Sequence, residues 1–482
     1  MVSGTGRLAA TVGERTRRIL YGEPTPAELA DELRWTTTID LAHLVMLAEQ
    51  ELIDAPTAAA LVRHITVLRA DGFDPLHGKP MPRGLYLAYE QHLMQALGAD
   101  VGGRLHTGRS RNDLKATVTA MRLRAELTDL TAELIRLQAV LLARARMHDD
   151  TVMPIHTHHQ AALPVTYGYY LTGVAVALGR DITALRQAVE ALSRCPLGAG
   201  AAAGTELPIN PARTAALLGF AGPPRHALDA VASRDTALRG LGAATGAALT
   251  MSRLGTDLQL WSTTEFGFIT FPDRLVGGSS AMPHKRNAFL LEHVRAKAGL
   301  AIGAWTAAAG TMRATPFTNA IEVGTEAVAA VWPGLRAVLD ATLLAQVIVS
   351  GARPVPLRMW QRAENGFVGA TALANRLVQQ GMPFRTAHHH VGAAVRAAVS
   401  RGATRLSTVD LPPDADGLDV SLRELVVEQC AGGGPGETAD IFAAVHAELV
   451  DHAAWCSALR AGLARTEREL ATAAARLAGS PR

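Results

Sequence analysis

The chain has 482 residues, which is long for a single hydrophobic core, so two or three domains are expected. Hydrophobic residues make up 48% and charged residues 19%, as is typical of a soluble globular protein. The net charge of +3 without a long basic tract argues against nucleic-acid binding, and the three scattered cysteines argue against a disulfide scaffold or a structural zinc site.

The most apolar stretch, residues 299–310, is too short to cross a bilayer. The charged N-terminal residues lack the apolar segment of a secretory signal. We therefore expect a cytoplasmic enzyme with no nucleic-acid or membrane partner. The small positive charge suits an enzyme that attracts dicarboxylates, although it would equally serve solubility alone.

Helical patterns dominate the chain. Over residues 241–261 the apolar positions recur at spacings of three and four, which places them on one face of a helix. Residues 164–192 and 288–309 are similar. Strand signals are scarce, and short strands at residues 268–270 and 408–410 are the most that the sequence allows. These patterns predict an all-α fold.

Two breaks divide the chain into three parts. Two glycines at residues 102–103 precede a new motif, and the sequence R-P-V-P at residues 353–356 ends a helix. We predict an N-terminal helical domain (1–103), a long central helical bundle with the catalytic motifs (104–352) and a smaller C-terminal helical domain (353–482).

In chain order, the first motif with chemical content is L-H-T-G-R-S-R-N-D at residues 105–113. Two guanidinium groups and an amide in one turn are suited to bidentate binding of a carboxylate. Taken alone, however, the motif favours the simpler interpretation of a solvated turn.

The second motif, T-V-M-P-I-H-T-H-H-Q at residues 151–160, has three histidines within four positions. Neighbouring residues in a helix face different ways, and no H-E-x-x-H or C-x-x-C pattern accompanies them. We therefore predict no metal site here or at residues 388–390. The glycines at residues 198–204 are not a dinucleotide-binding turn, because no strand or βαβ unit surrounds them, and no cofactor is expected.

The most informative segment is G-G-S-S-A-M-P-H-K-R-N at residues 277–287. Its glycines, serines and proline predict a loop that opens onto the apolar helix from Ala288. Lys285 and Asn287 can together hold a carboxylate, and backbone amides in such a loop can lower the cost of deprotonating a serine. The convergence of Ser279 with these two side chains argues against a simple linker.

This loop matches every fixed position of the G-S-S-x-M-P-x-K-x-N signature and so resembles the aspartase/fumarase superfamily. The motifs at residues 105–113 and 151–160 are similar to blocks of argininosuccinate lyases. So are residues 381–388, a block that adenylosuccinate lyases do not usually carry. The loop sequence M-P-H-K-R-N is closer to that of adenylosuccinate lyases, but over the whole chain the resemblance to argininosuccinate lyases is better.

The resemblance implies a fold and a reaction. The fold is the long central helical bundle of the aspartase/fumarase type, with smaller helical domains at both ends, in a homotetramer whose sites each draw on three subunits. The reaction is β-elimination from an N-substituted L-aspartate, a dicarboxylate, which gives fumarate and a free amine. This chemistry requires no cofactor and no metal.

The resemblance also assigns roles to residues. Ser279 is the expected base, Lys285 and Asn287 bind the carboxylate beside the carbanion, and Arg111 and Asn112 hold the succinyl part. His158, paired with Glu292, assists at the leaving nitrogen or orients the substrate. The remaining substrate-binding positions that the resemblance implies are Ser110, Thr157, Gln160, Ser280 and Met282.

The chain departs from the family on the amine side of the substrate. Tyr86 stands where the family has a histidine, and Phe317, Glu322 and Thr325 replace a tyrosine, a glutamine and a lysine of the stretch that contacts the amine. Ala288 replaces a usual proline, and the usual N-terminal W-G-G-R-F is absent. We predict substrate contacts for Tyr86, Phe317 and Glu322, and an altered amine specificity in which Glu322 faces a cationic amine.

Two alternatives remain open at this point. One is an ordinary argininosuccinate lyase of arginine biosynthesis. The other is a catalytically silent structural homologue, of the kind recruited from this family as lens crystallins.

Overall fold

The computed structural model describes residues 11–406 and 421–479, and almost all of its regular structure is helical. The predicted all-α class is confirmed. The α-helices are α1 (Glu14–Tyr21), α2 (Pro26–Glu49), α3 (Ala55–Ala70), α4 (Leu85–Leu97), α5 (Ala99–Gly102), α6 (Arg111–Met147), α7 (Tyr167–Glu190), α8 (Pro211–Leu217), α9 (Ala227–Ala232), α10 (Asp235–Trp261), α11 (Phe289–Met312), α12 (Val328–Gly351), α13 (Pro356–Glu364), α14 (Ala370–Gln379), α15 (Phe384–Ser400), α16 (Leu422–Glu428) and α17 (Thr438–Leu477).

Shorter elements connect these helices. The strands are β1 (Val152–Thr157), β2 (Gln160–Thr166), β3 (Ile269–Thr270) and β4 (Arg353–Pro354). Single turns of 3-10 helix lie at Asp74–Leu76, Gly103–His106, Asp273–Leu275 and Pro435–Glu437, and a π-helical turn, Glu322–Ala327, leads into α12.

The centre of the molecule is a bundle of long helices. α6 has 37 residues, about 55 Å of helix at 1.5 Å per residue, and packs against α7, α12 and α17. α10 packs against α7, α11 and α12. The apolar face predicted for α10 is confirmed, since its members are all buried: Ala244, Ala248, Met251, Leu254, Leu258 and Trp261.

Small residues let the bundle helices approach closely. A Cβ atom on Gly334 of α12 would lie 2.7 Å from the Ala304 side chain of α11 and 2.8 Å from Leu241 of α10. Both distances are far below van der Waals contact, so these three helices can meet this closely only with glycine at position 334.

The hairpin of β1 and β2 was not predicted. Its strands pair antiparallel from Val152↔Thr166 to Thr157↔Gln160. The expectation of at most short strands is therefore wrong for this segment. The strand predicted near residues 268–270 is present as β3, which pairs with β4. The strand suggested at residues 408–410 lies outside the described residues.

The buried apolar residues form two clusters. The larger cluster runs from Leu29 to Ala478 and joins the N-terminal helices and α17 to the bundle. The smaller one consists of Leu373, Ala374, Leu377, Ala387 and Val391, on α14 and α15. The predicted boundaries at residues 103 and 352 stay a prediction.

Among the described residues, one helical stretch, Glu322–Gly351, is apolar and long enough to cross a membrane by composition alone. Half of its most apolar window is buried inside the bundle, where α12 packs against α6, α10 and α11. That packing is the behaviour of a core helix.

Candidate active site

The serine loop is closed by a pair of backbone hydrogen bonds. The amide of Gly277 donates to the carbonyl of Asn287, and the amide of Asn287 donates back to Gly277, both at 2.8 Å. The Asn287 side chain adds a bond from Nδ2 to the carbonyl of Gly278 at 3.3 Å. These contacts hold the two ends of the loop together directly before α11.

Inside the loop the hydroxyl of Ser279 accepts two backbone hydrogen bonds. The amide of Ala281 donates to its Oγ at 3.3 Å and the amide of Met282 at 3.1 Å. Amide donors stabilise an alkoxide more than a hydroxyl, because the hydrogen bond strengthens as negative charge develops. The geometry therefore favours loss of the Ser279 proton.

The cationic residues of the loop differ in their partners. Arg286 is anchored, since it pairs with Asp273 at 2.5 Å and donates to the carbonyl of Phe271 at 2.9 Å. Lys285 is exposed, and no carboxylate among the described residues pairs with its ammonium group. Lys285 is thus available to an external carboxylate, beside the exposed Ser280 and Met282.

The motif at residues 105–113 builds the N-terminus of α6. Ser110 caps the helix in a capping box with Asp113, so its hydroxyl accepts from the amide of Asn112 at 3.2 Å. Arg111 is exposed and has no acidic partner among the described residues. A free guanidinium at the positive end of a long helix is a suitable carboxylate site.

The glycine turn at residues 198–204 supports this helix start. The carboxylate of Asp113 accepts from the amides of Gly198 at 3.0 Å and Gly200 at 2.9 Å. Asn112 donates to the carbonyl of Ala201 at 3.0 Å. The turn therefore positions the start of α6 by binding Asn112 and Asp113, the two residues that follow Arg111.

A buried polar network lies beneath the motif. Arg109 forms a fully buried ion pair with Asp40 at 2.7 Å and donates to the hydroxyl of Tyr86 at 3.0 Å. That hydroxyl also lies 2.9 Å from Nδ1 of His106. Burial, with Arg109 and Arg111 adding to it, lowers the pKa of His106 to about 4. Tyr86 is only 9% exposed, so the structure places it in support of Arg109 rather than at an open surface.

The hairpin presents the second motif at its tip. His158 and His159 take left-handed backbone angles, with φ of 51° and 59°, and form the two-residue turn between Thr157 and Gln160. All four residues are exposed. A side chain at such a tip meets substrate only where another surface faces the hairpin.

Glu292 lies in the first turn of α11, and its carboxylate accepts from Nε2 of Gln259 at 3.4 Å. No hydrogen bond or ion pair joins Glu292 and His158 among the described residues of one chain, so the pairing expected from the resemblance is not formed within it. Phe317 is 64% exposed, and Glu322 begins the π-helical turn on the same exposed segment.

Arg234, directly before α10, was missed by the sequence analysis. It is 4% exposed, donates only to the carbonyls of Val231 and Ser233, and has no acidic partner among the described residues. Burial lowers its pKa to about 10. Its Nη2 atom would be 3.9 Å from a Cβ on Gly324, so it faces the 317–325 stretch. Nothing in the local pattern marks Arg234, because only its burial beside that stretch distinguishes it.

Comparisons with known proteins agree with this architecture. Residues 77–303 match the family model described as "Lyase", and residues 367–416 match "Argininosuccinate lyase C-terminal". The argininosuccinate lyase of Methanoculleus marisnigri is 37% identical over 413 residues, covering 83% of this chain and 84% of that protein. The enzyme of Thermus thermophilus is 40% identical over 320 residues, covering 66% and 69%.

Among solved structures, EDDS lyase in complex with formate superposes with a TM-score of 0.84 at 27% identity, covering 97% of this chain and 99% of that one. A variant of EDDS lyase with bound fumarate gives 0.83 at 26% identity, covering 97% and 99%. A class II fumarase from Schistosoma mansoni, at 15% identity, a TM-score of 0.66 and 77% and 87% coverage, shares the fold.

Proposed function

The chain belongs to the argininosuccinate lyase family, within the aspartase/fumarase superfamily, and on that premise we propose how its residues divide the reaction of a fumarate-forming carbon–nitrogen lyase. Its substrate is a small dicarboxylate. In the elimination a base removes the proton from the carbon beside a carboxylate. The bond from the neighbouring carbon to nitrogen then breaks, its electron pair leaves with nitrogen, and the new double bond is that of fumarate.

The Ser279 hydroxyl carries this proposal. Two backbone amides donate to its Oγ, in a loop whose ends are hydrogen-bonded to each other. Ser279 takes the carbon-bound proton as an alkoxide, and the same two amides stabilise that alkoxide before the reaction.

The two carboxylates of the aspartyl part require cations aimed at them. Removing the proton pushes charge onto the adjacent carboxylate, and the unpaired ammonium of Lys285 stabilises that charge together with Asn287. Arg111 and Asn112, at the start of α6, hold the other carboxylate. Ser110, Thr157, Gln160, Ser280 and Met282 complete this side of the substrate.

His158 protonates or orients the leaving nitrogen. Because it stands on an exposed hairpin tip and does not meet Glu292 within one chain, we place the pair across a subunit interface. The bundle offers such an interface, since several of its large apolar side chains are 40% exposed or more: Leu249, Leu300, Ile302, Trp305, Leu343 and Val347. We therefore propose a homotetramer, and a cytoplasmic one.

The amine is recognised by the stretch at residues 317–325 and by Arg234. A buried guanidinium without an acidic partner is stabilised by a carboxylate ligand, so we propose that the amine itself bears a carboxylate. Glu322 offers a negative charge to a second, cationic group of that amine, and Phe317 offers an apolar surface. Such an amine resembles an amino acid, and its identity differs from arginine because the residues of the stretch differ.

The test is the appearance of fumarate by its absorbance when the purified protein is given argininosuccinate and a panel of other N-substituted aspartates. We expect turnover of a substrate whose amine is an amino acid other than arginine, and little turnover of argininosuccinate. Fast turnover of argininosuccinate would overturn the altered specificity. Fumarate release from no compound, in either direction, would overturn the lyase mechanism and favour the structural homologue.

The ordinary argininosuccinate lyase is the second candidate. Identities of 35–40% to several argininosuccinate lyases favour it, because they extend over 66–83% of the chain. The same assay separates the two candidates.

A further inference from the structure

A cavity with no serine-loop residue in its lining lies between α2, α3, α6 and α17 and has a volume of about 470 Å³. This volume is within the range of small-ligand pockets. Four guanidinium groups line it, those of Arg34, Arg69, Arg124 and Arg460, against the two carboxylates of Asp129 and Glu467. The cavity therefore has an excess of positive charge.

Two of these arginines have no acid within ion-pair distance among the described residues. Arg69 is half-buried, and its Nη1 donates to the hydroxyls of Thr37 at 2.7 Å and Thr38 at 3.0 Å and to the carbonyl of Arg34 at 3.0 Å. Arg124 is 7% exposed and donates only to the carbonyls of Leu218 and Gly219. Neutral oxygens satisfy these donors, and the guanidinium of Arg124 also lies over the ring of Phe220 at 4.4 Å, but neither arginine has a counter-ion at ion-pair distance. Burial lowers the pKa of both groups, that of Arg124 to about 10.

The other two arginines already have partners. Arg460 pairs with Asp129 at 2.6 Å and Arg34 with Asp31 at 2.8 Å. Glu467 also lines the cavity and attracts Arg69, but it forms no ion pair with it. The arginines that line the cavity without an ion-pair partner are therefore Arg69 and Arg124.

The rest of the lining is apolar and includes one aromatic ring. Trp35 is partly buried beside Met121, Leu218 and Leu470, which are buried. A flat apolar group packs well on an indole ring, and a planar guanidinium binds carboxylate or phosphate oxygens in a fork. We propose that this cavity binds a small aromatic anion, with its ring on Trp35 and its charge at Arg69.

The cavity is connected to the active-site scaffold through α2. One of the two hydroxyls that Arg69 binds belongs to Thr38, and two residues further along α2 the carboxylate of Asp40 pairs with Arg109 beneath the substrate-binding turn. An occupant that draws Arg69 away from Thr38 changes the packing at this point of α2. On the proposed function, occupancy therefore changes the KM for substrate.

Isothermal titration calorimetry of the full-length protein tests the binding without reference to catalysis. The probes are adenosine 5′-monophosphate, whose anion is a phosphate, and 4-hydroxybenzoate, whose anion is a carboxylate. The matched partial ligands are adenosine and inorganic phosphate for the first probe, and phenol and acetate for the second. We expect one anion to bind and its neutral or ringless counterpart to bind at least roughly tenfold more weakly. The anion that binds shows whether the cavity recognises a phosphate or a carboxylate.

Two variants locate the site. Arg69→Gln removes the charge and Ala464→Phe fills the cavity, and each is expected to weaken binding roughly tenfold or more. Arg396→Gln, at an exposed position on α15, is the control and should bind as the parent does. The proposal is overturned if neither anion binds at millimolar concentration, if adenosine binds as well as its phosphate, or if both cavity variants, shown folded by circular dichroism, keep the parent affinity.

Discussion

At the residue scale, the candidate base is a serine whose deprotonated form is stabilised by backbone amide dipoles. The Ser279 hydroxyl accepts from the amides of Ala281 and Met282, and neither amide titrates. Their contribution depends instead on the loop geometry, which the Gly277–Asn287 backbone pair maintains. The reactivity of Ser279 is therefore a property of the closed loop.

The first prediction concerns this hydroxyl. Ser279→Ala should lower the kcat for fumarate release by about 10²–10⁴-fold, since that is the usual contribution of a positioned proton acceptor. In this variant Lys285 and Arg111 are still present to bind the substrate carboxylates, so the KM should change much less than the kcat. The measurement is steady-state kinetics by fumarate absorbance, with circular dichroism as the test of folding.

Ser400→Ala is the matched control, because Ser400 is an exposed serine at the end of α15 whose hydroxyl only bonds the carbonyl of Arg396. It should retain the parent kcat. A Ser279→Ala variant with the parent kcat would remove this serine from the mechanism.

The second prediction concerns pH. His106 has a pKa of about 4 in the folded protein against 6.5 when unperturbed, so the unfolded chain binds the additional proton between these values. The free energy of unfolding should therefore fall as the pH drops from 6.5 to 4. Below pH 4, His106 should cause no further decrease, because it is then protonated in both the folded and the unfolded state. Urea unfolding at several pH values measures it.

His106→Gln provides the comparison for this prediction. Glutamine cannot titrate, so the variant should lose less stability than the parent over the same pH interval. Parallel pH profiles for the two proteins would show that His106 is not the group responsible.

At the element scale, the long helices were predictable and the hairpin was not. The residues of α10 repeat with helical spacing, and the same residues are buried in the bundle. β1 lacks the alternation that marks a strand, because its first three residues are all buried, and Pro154 faces Pro164 across the pair. Its turn has histidines where a glycine or asparagine would have signalled a hairpin.

The same contrast holds for the candidate site. The serine loop and the start of α6 were predicted from local motifs, since each works through residues close in sequence. Arg234 could not be, because its significance comes from burial beside Gly324, ninety positions away. Nor could the support of Arg109 by Asp40, which depends on how α2 packs against α6.

The third prediction tests the backbone strain at the hairpin tip. His159 has a φ of 59°, which costs a residue with a Cβ atom about 1–2 kcal/mol, whereas glycine adopts it freely. His159→Gly should therefore be more stable than His159→Ala by about 0.5–1 kcal/mol, after allowance for the greater freedom of unfolded glycine.

The alanine variant is the matched control, because both changes remove the same exposed side chain and differ only in the Cβ atom. Chemical denaturation of the two variants gives the difference. Equal stabilities, or a more stable alanine variant, would contradict a strained turn.

At the scale of the whole molecule, no hydrogen bond or ion pair joins the proposed catalytic residues His158 and Glu292 within the described part of one chain. The helical faces with Leu300 and Val347 are open to solvent at 63% and 50%, more than a stable bundle leaves uncovered. His158 lies at the tip of an exposed hairpin and Glu292 is exposed in the first turn of α11. Association of the bundles would cover the apolar faces and bring such groups together in the same step.

The fourth prediction follows from this arrangement. If each site takes Ser279 and His158 from different subunits, then Ser279→Ala and His158→Ala chains are both inactive alone, but a mixed assembly contains some sites with both native residues. The two variants, denatured and refolded together, should therefore recover part of the parent fumarate production, in particles with four times the 50.8 kDa mass of one chain. Each variant refolded alone is the control. A mixture no more active than its components, in assemblies shown to be mixed by mass, would place both residues in the same subunit's site.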